Sequence, residues 1–150
     1  PDVLYFLGDV YLRMNMLGEA EDLFRRALGA NPAFLRAREK LAIILVRRGE
    51  YEEAETVLGE DRTGFADVKK VMGDIKFCRG DLDAAEAFYR RSLDVNSEYG
   101  DAAISLALTL RNKGRDREAN ELLEKLIARE PENVVARNLI GRGPLDLEGA

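Results

Sequence analysis

The chain has no histidine and a single cysteine, Cys78. Without histidine it lacks the commonest general base and the commonest metal ligand, and one cysteine cannot close an internal disulfide. Zinc sites of the Cys/His kind, Ser-His-Asp and Cys-His arrangements and the His-Glu-x-x-His motif are thereby excluded. Proline is scarce, at four residues in 150, and strand-forming runs of Val, Ile and Thr are missing, a balance that favours helices. No run of about 18 or more apolar residues occurs, and no basic leader precedes an apolar segment, so no membrane insertion is expected. The first residue is Pro1 rather than Met. A fragment of a longer protein is the expectation, with a cytoplasmic location.

What is present is apolar and charged in alternation. Hydrophobic residues make up 46% and charged residues 34%, enough burial to offset the entropy of ordering the chain. The net charge is −5, from 28 acidic and 23 basic side chains, and the signs are interleaved rather than blocked. That pattern does not suit nucleic acid.

Self-similarity organises the chain. Ala20, Ala54, Ala85 and Ala119 lie 34, 31 and 34 residues apart, and so do Gly8, Ala42, Gly73 and Ala107, each of which follows Leu7, Leu41, Met72 or Leu106. Leu17, Tyr51 and Leu82 share a third phase, and Phe24, Leu58, Tyr89 and Leu123 a fourth. Within a unit, positions 4, 7, 8 and 11 fall on one face of a helix, and positions 20, 24, 27 and 28 on one face of another. Each unit is therefore a pair of amphipathic helices. Small residues at positions 8 and 20 let the backbones cross closely, and large ones at 7, 11 and 24 fill the flanks. Gly49, Gly80 and Gly114 suit the turn inside a pair. Pro32 and Pro131 end the second helix, with a place in the first turn of the next.

This pattern resembles the tetratricopeptide repeat family. The first unit carries Leu4, Leu7, Gly8, Tyr11, Ala20, Phe24, Ala27 and Pro32 of the family signature; the third carries Met72, Gly73, Gly80, Leu82, Ala85, Tyr89 and Ser92; the fourth Leu106, Ala107, Leu110, Gly114, Ala119, Leu123 and Pro131. The second departs most: after "YEEAETVLGE" it runs into "DRTGF", so its second helix should end near Gly59. The resemblance implies an all-α, right-handed superhelical solenoid of antiparallel helix pairs. The repeats fall at residues 1–34, 35–65, 66–99 and 100–133, followed by a closing helix over 134–141 and a tail to 150.

Several conspicuous motifs reduce to this frame. Arg79-Gly80-Asp81, the tripeptide of adhesion ligands, falls on the turn inside the third unit, with Asp81 as the N-cap of the helix that follows. Cys78 should be a partly buried thiol without the basic surroundings of a reactive one. Arg25-Arg26, Arg47-Arg48 and Arg90-Arg91 read as solvated faces, with Asp22 and Glu86 one turn from Arg26 and Arg90. No two carboxylates stand in the unlike environments that acid–base catalysis needs, and no catalytic residue, metal or cofactor is expected.

The resemblance places function on the concave side, lined by the first helix of every unit. The expected partner-binding groove comprises Tyr5, Phe6, Asp9, Leu12 and Arg13; Arg36, Lys40, Ile43, Val46 and Arg47; Lys70, Asp74 and Phe77; and Ile104, Leu108 and Arg111. Asp2, Glu39, Asp67, Val71, Cys78, Asp101, Ser105 and Asn112 share that face. Its apolar members suggest a strip for an amphipathic helix or extended peptide. The Lys/Asn/Arg clamp of chaperone-tail binders is absent, since Tyr5, Asp9, Lys40, Asp67 and Val71 stand at its positions. The expected role is a non-catalytic protein-binding scaffold or adaptor module. The alternatives are a regulatory or substrate-presenting segment of a larger enzyme, and an element of self-association.

Overall fold

The computed structural model describes residues 1–59 and 65–140, which form nine helices and no strand. They divide into two compact units, Pro1–Thr63 and Gly64–Ala150. The first contains α1 (Asp2–Arg13), α2 (Leu17–Ala30), α3 (Leu35–Arg48) and α4 (Tyr51–Leu58). The second contains α5 (Ala66–Cys78), α6 (Leu82–Val95), α7 (Gly100–Asn112), α8 (Asp116–Arg129) and α9 (Val134–Ile140). Each unit is all-α, and within it every helix packs against its neighbours in the chain, giving antiparallel pairs. The helix over 134–141 is α9; Gly141, the tail and most of the "DRTGF" stretch lie outside the described residues.

The crossing of each pair depends on two residues of complementary size. A Cβ built on Gly8 would stand 2.8 Å from Phe24 Cε1, and one on Gly73 would stand 2.5 Å from Tyr89 Cε1. Where the first position is glycine its partner is an aromatic ring; where it is Ala42 or Ala107 the partner position holds Leu58 or Leu123, and all four alanine and leucine side chains are buried. The methyl group gained at one position is balanced by volume lost at the other, as close packing requires.

Each first helix ends by one device. The backbone N–H groups of Met16, Glu50, Asp81 and Arg115 donate to the carbonyls of Tyr11, Leu45, Lys76 and Leu110, at 2.8–2.9 Å. This closure needs a left-handed residue just before the donor. Gly49 (φ 80°), Gly80 (φ 83°) and Gly114 (φ 76°) supply it in three pairs, and Asn15 (φ 60°) in the first. Asn15 was not foreseen; asparagine tolerates this conformation better than other side chains. Asp81 then caps α6, its Oδ1 accepting from the Ala84 N–H at 3.1 Å. The second helix of the short unit stops where expected, with Gly59 at its C-cap.

The two prolines correct the sequence reading. Pro32 and Pro131 do not enter a helix, for α3 and α9 begin three residues later, at Leu35 and Val134. Before α3 the turn is built on an asparagine; before α9 Glu130 stands in that place, its carbonyl accepting from the Asn133 N–H at 3.0 Å. Asn31 Oδ1 accepts from the Ala33 N–H at 3.1 Å, and the Phe34 N–H donates to the Asn31 carbonyl at 3.0 Å. Asn96 and Tyr99 repeat it at 3.1 Å, with Asn96 Oδ1 accepting from Glu98, although Ser97 stands where the first unit has proline. Before α3 and α7 the asparagine side chain caps its own turn, with or without a proline after it.

Candidate functional site

In the first unit the candidate face is carried by α1 and α3. Asp9 on α1 ties the two together, accepting from Arg13 one turn on at 2.9 Å and from Lys40 of α3 at 3.3 Å. Tyr5 stands beside them in an aromatic group, with ring centroids 5.4 Å from Phe6, 5.9 Å from Phe24 and 5.1 Å from Phe34. Phe24 belongs to the core, so Tyr5 is rooted in the core and reaches the surface at its edge. Ile43 and Val46 are half-buried, Arg36 and Arg47 exposed, and Phe6 is 67% exposed. Arg36 pairs with Glu39 at 3.2 Å.

Two expectations fail on this face. Leu12 is buried and offers little contact surface. Glu39 is also buried, covered with its charge paired to Arg36 rather than presented. Four cations, Arg13, Arg36, Lys40 and Arg47, thus share the face with Asp2, Asp9 and Glu39, a surplus of one positive charge.

In the second unit α5 and α7 carry the face. Asp74 is its hub: Lys70 Nζ donates to Oδ2 and the Tyr89 hydroxyl to Oδ1, both at 2.7 Å. Burial, then the Asp74 charge and hydrogen bond, push the Tyr89 hydroxyl far above its ordinary pKa, so it stays a neutral donor. Tyr89 is buried, and α6 therefore fixes the orientation of a surface carboxylate on α5 from inside the fold. Arg111 donates from Nη2 to Asn120 at 2.7 Å, while its Nε is buried without an acceptor. Leu108 is half-buried.

Phe77 and Ile104 are half-buried and pack against the core of this unit, so they contribute edges to the face rather than free anchors. Val71 is buried and is removed from it. Cys78, expected to be partly buried, is exposed, because it is the last residue of α5 and its neighbours turn away into the Arg79-Gly80 corner. Among the described residues no group of His, Cys, Asp and Glu could hold a metal ion, and no helix is long and apolar enough to cross a membrane.

Two of the arginine pairs, Arg25-Arg26 and Arg90-Arg91, lie on the second helices α2 and α6, whereas Arg47-Arg48 ends the first helix α3. Arg25 bridges Glu21 and Glu53 at 2.8 and 2.7 Å, and Arg48 also reaches Glu21. In the second unit Glu86 collects Arg90 at 2.8 Å, Lys113 at 2.6 Å and Arg115 at 2.9 Å. Burial alone would raise the Glu86 carboxyl, but the hydrogen bonds from Lys113, Arg90 and Arg115 outweigh it and bring it down to about 2. Glu21 is lowered in the same way, burial being outweighed by Arg25 and Arg48. Arg91 lies over the Phe88 ring at 5.4 Å.

Helix pairs closed by one turn device, crossing at paired small and large positions and, within each unit, carrying their first helices side by side, define a helical-repeat protein of the interaction class. Residues 5–60 and residues 79–142 each match a family model described as tetratricopeptide repeat. The chain belongs to the tetratricopeptide repeat family.

Among curated proteins it is similar to cellulose synthase operon protein C of Pseudomonas fluorescens (strain SBW25), 30% identical over 142 residues, covering 87% of this chain and 11% of that protein. The same-named protein of Xanthomonas axonopodis pv. citri (strain 306) is 30% identical over 145 residues, covering 87% of this chain and 9% of that one. The chain thus spans about a tenth of the length of the curated relatives it matches. Among solved structures, TTC0263, a thermophilic TPR protein of Thermus thermophilus, aligns with TM-score 0.80 at 20% identity, covering 92% of this chain and 78% of that one. YrrB, described as a TPR protein with an unusual peptide-binding site, aligns at 0.75 and 23%, covering 93% and 73%. MamA of Desulfovibrio magneticus RS-1 aligns at 0.74 and 18%, covering 89% and 77%. At these identities the structures share the fold.

Proposed function

We propose that this chain is a non-catalytic protein-binding module, and that the first-helix face of each unit holds an amphipathic helix or extended segment of a partner protein. The observation that carries this reading is the mixed character of those faces. Tyr5, Phe6, Ile43 and Val46 in one unit and Leu108 in the other keep apolar surface at the water boundary, beside side chains already locked in place by Asp9 and Asp74. Fixed charges flanking partly exposed apolar side chains favour a segment that buries the second and complements the first. The face of the first unit carries one surplus positive charge, and that of the second, with Lys70 and Arg111 against Asp67, Asp74 and Asp101, one surplus negative charge. The partner segment would therefore carry apolar anchors and charges of both signs.

YrrB's description as a TPR protein with a peptide-binding site supports the same use of the fold. The relatives' length supports a scaffold or adaptor role inside a longer polypeptide, and is equally compatible with a regulatory or substrate-presenting segment of one. The Lys/Asn/Arg clamp for a free C-terminal carboxylate has no counterpart here, so the segment would be internal rather than a chain end.

The test is a partner screen read through surface variants. Peptides from candidate partners should bind the wild type, and Leu108→Glu or Lys40→Glu should weaken binding at least about tenfold, a loss of roughly 1.4 kcal/mol, with far-UV circular dichroism unchanged. Binding indifferent to both substitutions would place the contact elsewhere.

A further inference from the structure

Arg111, in the last turn of α7, puts a charge where the other helix pairs have an apolar side chain. The same position holds Leu12 on α1, Val46 on α3 and Phe77 on α5; Leu12 is buried, and Val46 and Phe77 are half-buried. Arg111 is half-buried as well. A guanidinium that loses hydration recovers the cost only through a counter-charge and hydrogen bonds, and the fold returns little of it. Nη2 donates to Asn120 Oδ1 of α8 at 2.7 Å, a neutral amide and the one hydrogen-bond partner of Arg111 among the described residues. Nε is the one buried side-chain nitrogen or oxygen among the described residues that has no partner. The half-buried lysines of the two faces are by contrast neutralised, Lys40 by Asp9 at 3.3 Å and Lys70 by Asp74 at 2.7 Å.

Asn120 sharpens the exception. It follows Ala119 as Glu21 follows Ala20 and Glu86 follows Ala85, and both of those carboxylates gather cations: Arg25 and Arg48 at Glu21, and Arg90, Lys113 and Arg115 at Glu86. A glutamate at position 120 would neutralise Arg111 in the same way. The amide instead accepts one hydrogen, fixes the guanidinium and leaves its charge unspent. Arg111 is thereby oriented before any ligand arrives, which removes part of the ordering cost of a contact.

We propose that Arg111 is the specificity-determining residue of the second unit's face, and that it receives an aspartate or glutamate side-chain carboxylate from the partner segment. This rests on the reading of that face as the contact surface. With Nε covered and one hydrogen of Nη2 committed to Asn120, Nη1 and the second hydrogen of Nη2 form the end of the fork that takes a carboxylate in two parallel bonds. A phosphate dianion is the poorer occupant, because a single guanidinium would face it on a surface with surplus negative charge. That surplus does not exclude a monoanion. Asp74 is spent on Lys70, and Asp67 and Asp101 lie in the first turns of α5 and α7. Asp101 stands about 15 Å along the helix axis from Arg111, beyond the screening length of about 8 Å at physiological salt.

The carboxylate alone is the first probe. In arginine side-chain ¹⁵N spectra of the 150-residue chain, the Arg111 Nε–Hε signal, assigned by its loss in Arg111→Met, should shift along a saturating curve with sodium acetate and not with sodium chloride at equal ionic strength. The exposed Arg47 and Arg137 should respond alike to both salts. An Arg111 response no larger than theirs would overturn the proposal, as would tighter saturation by sodium phosphate than by acetate. Asn120→Glu should abolish the acetate response with circular dichroism unchanged, and a response that survives it would count against the proposal equally. No partner segment enters this titration, so it succeeds or fails independently of the peptide screen that tests the face.

Thermal melts separate a ligand-binding arginine from a structural one. Arg111→Met restores an apolar side chain and removes the buried, unpaired Nε, so it should melt no more than about 3 °C below the wild type; a larger fall would show that the arginine serves the fold. In peptides selected by the screen, replacing one acidic residue by its amide should weaken binding to the wild type about fivefold to tenfold and leave binding to Arg111→Met unchanged. Equal losses in the two proteins at every acidic residue would take the carboxylate away from Arg111.

Discussion

At the scale of single residues, the fold rests on compensated pairs more than on individually good ones. Phe24 has no exposed surface, and the space for its ring exists because residue 8 has no side chain. Gly8→Ala should therefore destabilise by roughly 1–3 kcal/mol despite the better helix propensity of alanine. Phe24→Leu should itself cost about 1–3 kcal/mol. The double variant re-creates the Ala/Leu pairing of residues 42 and 58, and should be more stable than the sum of the two losses predicts by about 1 kcal/mol or more. Urea melts of the four proteins measure this coupling, and strict additivity would mean that the two positions do not sense each other. Asn15 gives an independent check on the turns. Asn15→Gly should be neutral or stabilising, whereas Asn15→Ala should cost about 1 kcal/mol, since alanine pays the full penalty of a left-handed backbone.

At the scale of helices, the ionic joints between successive second helices have a pH signature. The Glu86 carboxyl is lowered to about 2 from its ordinary value of 4.5. A carboxylate lowered on folding binds more protons in the unfolded state, so its stabilisation is complete above about pH 4.5 and is lost as the pH falls toward 2. Glu86→Gln should accordingly destabilise at pH 7, by roughly 1–3 kcal/mol because Glu86 is mostly covered and serves three cations. The difference between variant and wild type should close as the pH falls from 4.5 to 2. Thermal melts across that range give the answer, and a constant difference would show that the charge of Glu86 is not what stabilises the joint.

Legibility of the sequence divides along the same physical line. Helix pairs, their boundaries and the Asp81 cap follow from periodicity and from local chemistry, which act over one or two turns and leave their mark at fixed spacing. The Asn31 and Asn96 corners were legible in principle, since Asn31-x-x-Phe34 recurs as Asn96-x-x-Tyr99, but proline drew the reading to itself. The candidate face was less legible. Helical angle alone assigned Leu12, Glu39 and Val71 to the surface, yet burial at those positions is decided by how far the neighbouring helix leans over them.

At the scale of the whole chain, family membership and a protein-interaction role follow from the repeats, while the faces proposed above would decide which partner is held. The first-helix faces offer fixed charges and edges of apolar side chains. The first-unit face, with Arg13, Arg36, Lys40 and Arg47, should lose affinity for its partner as ionic strength rises, because exposed charge contacts are screened over about 10 Å at 0.1 M salt.

The most direct test of the binding-module account is amide chemical-shift mapping of the isotope-labelled chain during titration with a partner segment selected by the peptide screen. The account predicts perturbations concentrated on the first helices, at Tyr5, Lys40, Ile43 and Val46 or at Asp74, Leu108 and Arg111, with the second-helix residues Arg26, Glu52 and Arg117 unmoved. A map centred on the second helices, or one spread through the core residues Ala20, Ala54 and Ala119, would contradict it.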